Sequence, residues 1–414
     1  MLKQQKHDQL SIWLEKLEQI GFVERLEIAQ VKKVLSYLGV TKKFFLITVT
    51  GTNGKGSTCH LLEKILLKSG YKVGLFTSPH LFIYNERIRI NGDICTDQQI
   101  VDALNQVDLV AQKLNLTLGY FSYTFIAACL IYSYTELDFL ILEVGCGGRL
   151  DPSNAFDADM LAITSIGLDH KDLLGDTREK IALEKSALAR EAKPVIIGER
   201  DFPVIALDYL DDIKAQIYTY DVLILENKYQ SSAPIFLHDN NLKVVLKIVE
   251  TLKAFNFKIS NDSVFLSLLT FSLPGRCQVL KIKGKTVIFD VGHNEQCFSY
   301  LTDWLKNQYP KSNVTILYSA FANKSVDDIL KASNDYFVKW MLTSLLSVDN
   351  RAMPLEKLTN YFKGKPYITY EQPEIAFEAI LAEKNDCNMV YVVSGSFVLV
   401  SYLLKYCIEQ GYSE

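Results

Sequence analysis

The sequence predicts an α/β protein with two domains, built on mostly parallel β-sheets that are covered by helices. Short apolar runs at 44–50, 139–142 and 161–163 alternate with helix-like stretches at 100–114 and 177–192. This alternation is typical of parallel strands joined by crossover helices. The chain of 414 residues is also longer than one hydrophobic core usually supports, so we expect a second domain.

The expected domain boundary lies at the turn-forming sequence Pro274-Gly275-Arg276, after which a second series of strands begins. We therefore predict an N-terminal domain over residues 1–275 and a smaller C-terminal domain over residues 276–414. The strand candidates of the second domain lie at 279–282, 287–290, 314–318, 340–343 and 390–393.

Composition argues against several classes of protein. A net charge of −4 with scattered lysines is unlike a nucleic-acid-binding surface, which needs clustered Lys and Arg. The eight cysteines lie far apart, as expected in a reducing compartment. The N-terminus lacks an apolar signal segment, and the most apolar stretch, 390–404, is shorter than the ~20 residues of a membrane helix. We expect a cytoplasmic protein without a nucleic-acid or membrane partner.

A glycine-rich loop follows the first strand and precedes a helix-like stretch at 58–68. The loop reads Gly51-Thr52-Asn53-Gly54-Lys55-Gly56-Ser57. Backbone N–H groups at the start of a helix converge on an anion, and a lysine in such a loop can reach the outer phosphates of a nucleotide. The strict P-loop pattern is not met, because Gly56 separates Lys55 from Ser57. The loop favours phosphate binding, and a plain turn between strand and helix is the alternative.

Polar side chains also stand where three other strands end. Glu143 closes a buried-type strand, His170 follows the strand at 161–163, and Ser78 closes a strand earlier in the chain. Ligands bind at the carboxyl ends of strands in open α/β sheets, and carboxylate oxygens suit Mg²⁺. The alternatives are an acid solvated at the sheet rim and a histidine satisfied by ordinary hydrogen bonds. Lys185 reads, from its pattern alone, as an exposed lysine on a helix.

Taken together, eight motifs resemble the folylpolyglutamate synthase/dihydrofolate synthase family of the Mur ligases. They follow one another in order from about residue 12 to residue 400, and several are distinctive in wording and spacing. The motifs are Gly51–Ser57, Ser78-Pro79-His80-Leu81, Asn85-Glu86-Arg87-Ile88-Arg89, Glu143–Asp151, Leu168-Asp169-His170, Glu184-Lys185, Pro274-Gly275-Arg276 and Asp290-Val291-Gly292-His293-Asn294.

This resemblance implies a P-loop-type N-terminal domain that binds ATP and the pterin, and a Rossmann-like glutamate-ligase domain. It also implies an ATP-dependent amide ligase, expected to be a monomer, that adds L-glutamate to dihydropteroate, to folates or to both. The substrate carboxylate attacks the γ-phosphate of ATP, and the amine of glutamate displaces the acyl phosphate. Positioning and charge neutralisation are what phosphoryl transfer needs most, and a loop lysine with metal ions supplies both.

Site residues are implied by matching the family's motifs. Lys55, His170 and Lys185 match catalytic positions, and Lys185 matches a lysine that CO₂ converts to a carbamate. The metal ligands, in two expected Mg²⁺ sites, would be Ser78, Glu143, His170 and carbamylated Lys185. ATP would be held by Thr52, Asn53, Gly54, Lys55, Gly56, Ser57, Asn241, Arg276, Asp290 and His293. The pterin or folate would be held by Tyr120, Phe121, Ser122, Leu150 and Asp151.

The departures from the family's pattern fall on the pterin side. The sequence Gly119-Tyr120-Phe121-Ser122 lacks an acidic residue that is usual there, and the early segment Glu27-Ile28-Ala29-Gln30 also differs. Either other residues hold the pterin, or the enzyme mainly extends preformed folates. Two further alternatives stay open: a Mur ligase acting on a cell-wall precursor, and a P-loop NTPase without ligase activity.

Overall fold

The computed structural model describes residues 9–21, 28–219 and 237–412. Glu27, one of the residues that differ from the family's pattern, lies outside these ranges. The chain divides into two compact units, Met1–Phe271 and Ser272–Glu414. The observed boundary lies after Phe271, whereas the sequence predicts a boundary after residue 275. The functions assigned to the two domains stay predictions.

The first unit contains an eight-stranded sheet in the described residues, in the order β4-β3-β2-β5-β1-β6-β7-β8. Strands β2, β5, β1, β6, β7 and β8 pair in parallel, and β3 and β4 add an antiparallel edge. The strands are β1 Phe45–Thr50, β2 Val73–Phe76, β3 Ile88–Ile90, β4 Asp93–Ile94, β5 Phe139–Glu143, β6 Met160–Ile163, β7 Pro194–Ile197 and β8 Gln216–Thr219.

Helices cover both faces of this sheet, which explains why its central strands read as continuous apolar runs. Side chains of β1 alternate between the layers: Leu46 packs into one hydrophobic core, and Ile47 and Val49 pack into another. The helices are α1 Gln9–Ile20, α2 Ile28–Tyr37, α3 Lys55–Lys68, α4 Asp97–Lys113, α5 Tyr120–Ser133, α6 Lys171–Leu174, α7 Arg178–Ser186, α8 Val204–Asp212, α9 Asp239–Ala254 and α10 Asn261–Leu269.

The second unit is built on a six-stranded sheet in the order β13-β12-β11-β14-β10-β9, in which only the β9–β10 pair is antiparallel. The strands are β9 Gln278–Ile282, β10 Lys285–Phe289, β11 Asn313–Tyr318, β12 Lys339–Thr343, β13 Tyr367–Tyr370 and β14 Met389–Ser394. The helices are α11 Glu295–Gln308, α12 Val326–Ser333, α13 Leu355–Thr359, α14 Pro373–Ala382 and α15 Phe397–Glu409. The predicted α/β architecture, with mostly parallel sheets, is confirmed.

The most apolar stretch of the sequence, 390–404, runs from β14 through a short turn into α15. Across the described part of the chain, no helix combines the length and the hydropathy that spanning a membrane requires.

Candidate active site

The glycine loop joins β1 to α3, and two of its glycines have backbone angles that side chains rarely adopt. Gly51 has φ 145° and Gly54, which precedes the first turn of α3, has φ 84°. A β-carbon on Gly51 would lie 1.9 Å from the Thr164 Oγ1, and one on Gly54 would lie 2.1 Å from the Asn241 Oδ1. Glycine is therefore required at both positions by conformation and by space.

The loop is held in shape by the segment that follows β6. The Thr52 backbone N–H donates to the carbonyl of Ser165 at 2.7 Å, and the Asn53 N–H donates to the Ser165 Oγ at 3.0 Å. The Thr52 Oγ1 accepts the N–H of Gly167 at 2.9 Å and donates to the carbonyl of the same residue at 3.1 Å. These contacts join the segment after β1 to the segment after β6. Residues 51–54 and 164–167 together form one rim at the start of α3.

Two lysine side chains meet at a single carbonyl of this loop. Lys55 Nζ donates to the Gly51 oxygen at 2.9 Å, and Lys185 Nζ, from α7, donates to the same oxygen at 3.1 Å. Lys185 is only 3% exposed, so the interpretation of an exposed helical lysine is wrong. Burial, and then the charge of Lys55, lowers the pKa of the Lys185 amine from 10.5 to about 7. A large fraction of this amine is therefore neutral near neutral pH.

Glu143 ends β5 beside the glycine loop, and its carboxylate is buried. Its Oε2 accepts the backbone N–H of Ser78 at 2.9 Å, so the ends of β2 and β5 meet here. A β-carbon on Gly56 would lie 3.6 Å from the same Oε2, which places the carboxylate against the first turn of α3. Hard oxygen donors from Glu143 and Ser78, next to the glycine loop, are of the kind that suits Mg²⁺.

His170 lies at the start of the short helix α6, with a left-handed backbone at φ 51° and an exposed side chain. Its backbone N–H donates to the Asp169 Oδ1 at 2.9 Å. Within the described ranges, no three His, Cys, Asp or Glu side chains are grouped so that they could hold a metal by themselves. A metal at this rim thus needs other oxygen donors, such as the Ser78 hydroxyl. The metal-binding roles of the four predicted ligands stay predictions.

A second glycine run, residues 145–148, packs against the helix that carries Lys185. A β-carbon on Gly148 would lie 2.4 Å from the Glu184 carbonyl oxygen, and the Arg149 N–H donates to that oxygen at 2.9 Å. A β-carbon on Gly145 would lie 2.5 Å from the ring of Phe121. The backbone at these glycines thus passes close to α7 and to Phe121.

Asp151, predicted to hold the pterin, is 3% exposed and accepts hydrogen bonds within its own loop. Its Oδ2 accepts the Cys146 N–H at 3.0 Å, and its Oδ1 accepts the Ser153 N–H at 3.0 Å and the Ser153 hydroxyl at 2.6 Å. The neighbouring Leu150 is 37% exposed. These contacts support a loop-shaping role for Asp151, and the pterin contact stays a prediction.

The other residues predicted to contact the pterin begin helix α5, where Tyr120 and Ser122 are half-buried. The Arg87 guanidinium lies 5.4 Å from the centroid of the Tyr120 ring and 5.5 Å from that of Tyr84. Its Nε donates to the His80 Nδ1 at 2.9 Å. Arg87 thus joins two aromatic rings and a histidine, a cation–π arrangement that the sequence does not assign.

In the second unit, the predicted ATP contacts lie on the loop between β10 and α11 and at the turn before β9. Asp290 accepts the backbone N–H of Cys277 at 2.9 Å and that of Gly292 at 2.8 Å. The His293 Nδ1 lies 3.0 Å from the carbonyl oxygen of Val291. The Arg276 guanidinium lies 4.8 Å from the centroid of the Phe397 ring. The ATP contacts of Arg276, Asp290 and His293 stay predictions.

Some residues of the site were not found from the sequence. Thr164 and Ser165 shape the glycine loop, and the Thr164 Oγ1 donates to the carbonyl of Asn53 at 2.6 Å. The only signal for them was a pair of hydroxyl residues at the end of an apolar strand. Arg178 donates from its Nε to the Ile166 carbonyl at 3.1 Å and so supports the same segment.

Two family models and several known proteins match this chain. Residues 49–261 match the model of the Mur ligase middle domain, and residues 275–397 match that of the Mur ligase, glutamate ligase domain. A dihydrofolate synthase/folylpolyglutamate synthase of Buchnera aphidicola is 32% identical over 97% of this chain and 98% of its own length. The protein of that name from Escherichia coli is 32% identical, with 96% of this chain and 95% of its own length covered.

Solved structures show the same similarity. A structure described as E. coli FolC in complex with DHPP and ADP has a TM-score of 0.88 at 30% identity, covering 97% of this chain and 98% of that one. A bifunctional folylpolyglutamate synthase/dihydrofolate synthase from Yersinia pestis, complexed with AMPPNP and Mn, has a TM-score of 0.87 at 31% identity, covering 96% and 98%. With both domains matched along nearly the whole length, the chain belongs to the dihydrofolate synthase/folylpolyglutamate synthase family of the Mur ligases.

Proposed function

We propose that this ATP-dependent ligase joins L-glutamate to a pterin carboxylate by way of an acyl phosphate made at the glycine loop. In the first step, a carboxylate oxygen attacks the γ-phosphorus of ATP, and ADP leaves. In the second, the glutamate amine attacks the acyl carbon, phosphate leaves, and the amine loses a proton. The observation that carries the proposal is the glycine loop with the Lys55 and Lys185 amines on its Gly51 carbonyl.

Residues of the first unit have separate roles in this reaction. Lys55 neutralises charge on the outer phosphates, and the backbone of the glycine loop orients them. Ser78, Glu143 and His170 would hold the divalent metal. A divalent metal held there would add to the neutralisation of the phosphate charge. The structures of relatives described with Mn and AMPPNP, and with L-glutamate, support the use of a divalent metal together with the nucleotide.

Lys185 is proposed to carry a carbamate. CO₂ reacts with a neutral amine: the nitrogen lone pair bonds to carbon, and one N–H proton leaves. The buried position of Lys185 and its pKa of about 7 support this step, because they keep much of the amine unprotonated. The product would carry a negative charge that attracts the Lys55 ammonium, whereas a protonated Lys185 would repel it.

The acceptor is proposed to be a pterin with a free carboxylate, either dihydropteroate or a folate such as tetrahydrofolate. Phe121 offers aromatic surface against Gly145, Tyr120 offers a second ring beside Arg87, and Ser122 stands where the family usually has an acid. A side-by-side assay settles the choice: purified protein is given ATP, Mg²⁺, L-glutamate and one acceptor at a time. Phosphate release should need the acceptor, and release that ignores both pterins would contradict the proposal.

Lys185→Ala tests the carbamate. Turnover should fall to background, and a short carboxylate such as acetate should restore part of it by standing in for the carbamate. Lys180→Ala is the matched control, since Lys180 is an exposed lysine on the same helix, paired with Asp176 at 2.8 Å. Near-normal activity of Lys185→Ala would remove the carbamate from the mechanism.

A further inference from the structure

The N-terminus of α9 stands directly against the glycine loop. Helix α9 shares a hydrophobic core with α3, to which Val245 and Ile248 of α9 and Leu62 of α3 contribute. Its third residue, Asn241, is 8% exposed, and its amide fills the space in front of Gly54. A β-carbon on Gly54 would lie 2.1 Å from the Oδ1 of that amide and 2.5 Å from its Nδ2. The position of Asn241 is therefore tied to the start of α9.

A histidine side chain caps that start. His238 is the N-cap residue of α9, and its Nδ1 accepts the backbone N–H of Asn240 at 3.0 Å. Its carbonyl accepts the N–H of Asn241 at 2.9 Å and that of Leu242 at 3.1 Å. An N-cap side chain satisfies one of the backbone donors that the first helical turn leaves without a partner.

We propose that His238 is a positioning residue of the nucleotide site, because its cap fixes the first turn of α9 and so holds Asn241 against Gly54. The inference rests on the proposed function, in which Gly54 and its neighbours hold the phosphates of ATP. His238 acts through Asn241 and is not placed in contact with the nucleotide.

The cap depends on a neutral imidazole, since Nδ1 must be unprotonated to accept a hydrogen bond. Burial lowers the pKa of His238 below 6.5; Asp239 raises it and Lys243 lowers it. At neutral pH the ring is thus in its capping form. Protonation at acidic pH would turn Nδ1 into a donor facing another donor, and the cap would be lost.

Titration calorimetry with Mg²⁺ and AMPPNP tests the proposal in the full-length protein. His238→Ala should weaken AMPPNP binding about fivefold, which corresponds to the ~1 kcal/mol of an N-cap. His238→Asn should bind within about twofold of the wild type, because asparagine is a strong N-cap. At saturating ATP, kcat should be unchanged in both variants, so that the effect appears in KM alone.

A control variant separates positioning from general stability. Thr96 caps α4 by accepting the N–H of Gln99, so Thr96→Ala removes a comparable cap. It should lower the melting temperature and leave AMPPNP affinity unchanged. Acidification below pH 6.5 should weaken AMPPNP binding more in the wild type than in His238→Asn.

Three results would overturn the inference: unchanged affinity in His238→Ala, no rescue by His238→Asn, or equal weakening by Thr96→Ala. Failure of the wild-type protein to bind AMPPNP would instead overturn the proposed function, and this inference with it.

Discussion

Replacing Gly54 with alanine places a β-carbon in space that the Asn241 amide already occupies. The new carbon would lie 2.1 Å from Oδ1 and 2.6 Å from Cγ of Asn241. An ordinary contact is ~3.5 Å, so the amide or the loop must move by about 1 Å. The left-handed backbone at φ 84° adds about 1–2 kcal/mol of strain for a residue with a β-carbon.

A displacement of about 1 Å in a group that positions a substrate can cost about 100-fold in rate. We expect Gly54→Ala to lower kcat/KM for ATP at least tenfold, since part of the shift will be absorbed by rotation of the amide. The backbone strain alone is not enough for this effect, because it is partly offset by about 0.4–1 kcal/mol from the less flexible unfolded chain.

Gly70 provides the matched control. It has nearly the same backbone angle, φ 85°, but a β-carbon added there would meet no atom within 4 Å. The backbone strain in Gly70→Ala should therefore lower the melting temperature. Its kcat/KM for ATP should stay within about twofold of the wild-type value. Steady-state assays and thermal denaturation of both variants give the comparison. Wild-type kinetics in Gly54→Ala would show that Asn241 and Gly54 do not form one surface of a nucleotide site.

Three other predictions concern the same rim. Lys185→Met should raise the melting temperature at pH 7 in CO₂-free buffer. The lowered pKa of the buried amine costs stability at pH values below its unfolded value of 10.5, and this cost falls as the pH rises from about 7 toward 10. The gain from Lys185→Met should therefore shrink over the same range. In Asp151→Asn, the amide oxygen can still accept the hydrogen bonds of Ser153, but no second oxygen accepts the N–H of Cys146. Denaturant unfolding should therefore show a free energy of unfolding lower by about 1–3 kcal/mol. Thr52→Val removes both hydrogen bonds to Gly167 and should raise KM for ATP in steady-state assays while the melting temperature falls.

Local patterns were sufficient to predict the strand, glycine loop and helix at 44–68. Apolar periodicity marks β1 and α3, and the required glycines stand between them. The strand-end positions of Glu143 and His170 follow from the same logic, since parallel strands end at one edge of a sheet. These patterns therefore predict the edge of the sheet at which the polar side chains lie.

Contacts between distant segments could not be predicted in this way. Lys185 meets the Gly51 carbonyl across 134 residues of sequence, and nothing in its own helix distinguishes it from an exposed lysine. Asn241 reaches Gly54 only because α9 packs on α3. The cap of α9 was also missed, because His238 is not among the residues that usually signal a helix start.

In the proposed reaction, a pterin carboxylate becomes an acyl phosphate before glutamate is joined to it. The most direct test uses an acceptor whose carboxylate is labelled with ¹⁸O, incubated with the protein, ATP, Mg²⁺ and L-glutamate. If the carboxylate attacks the γ-phosphate, one labelled oxygen leaves with the phosphate, and mass spectrometry of that phosphate should detect ¹⁸O in proportion to the amide formed. Amide formation with unlabelled phosphate would show that no acyl phosphate forms.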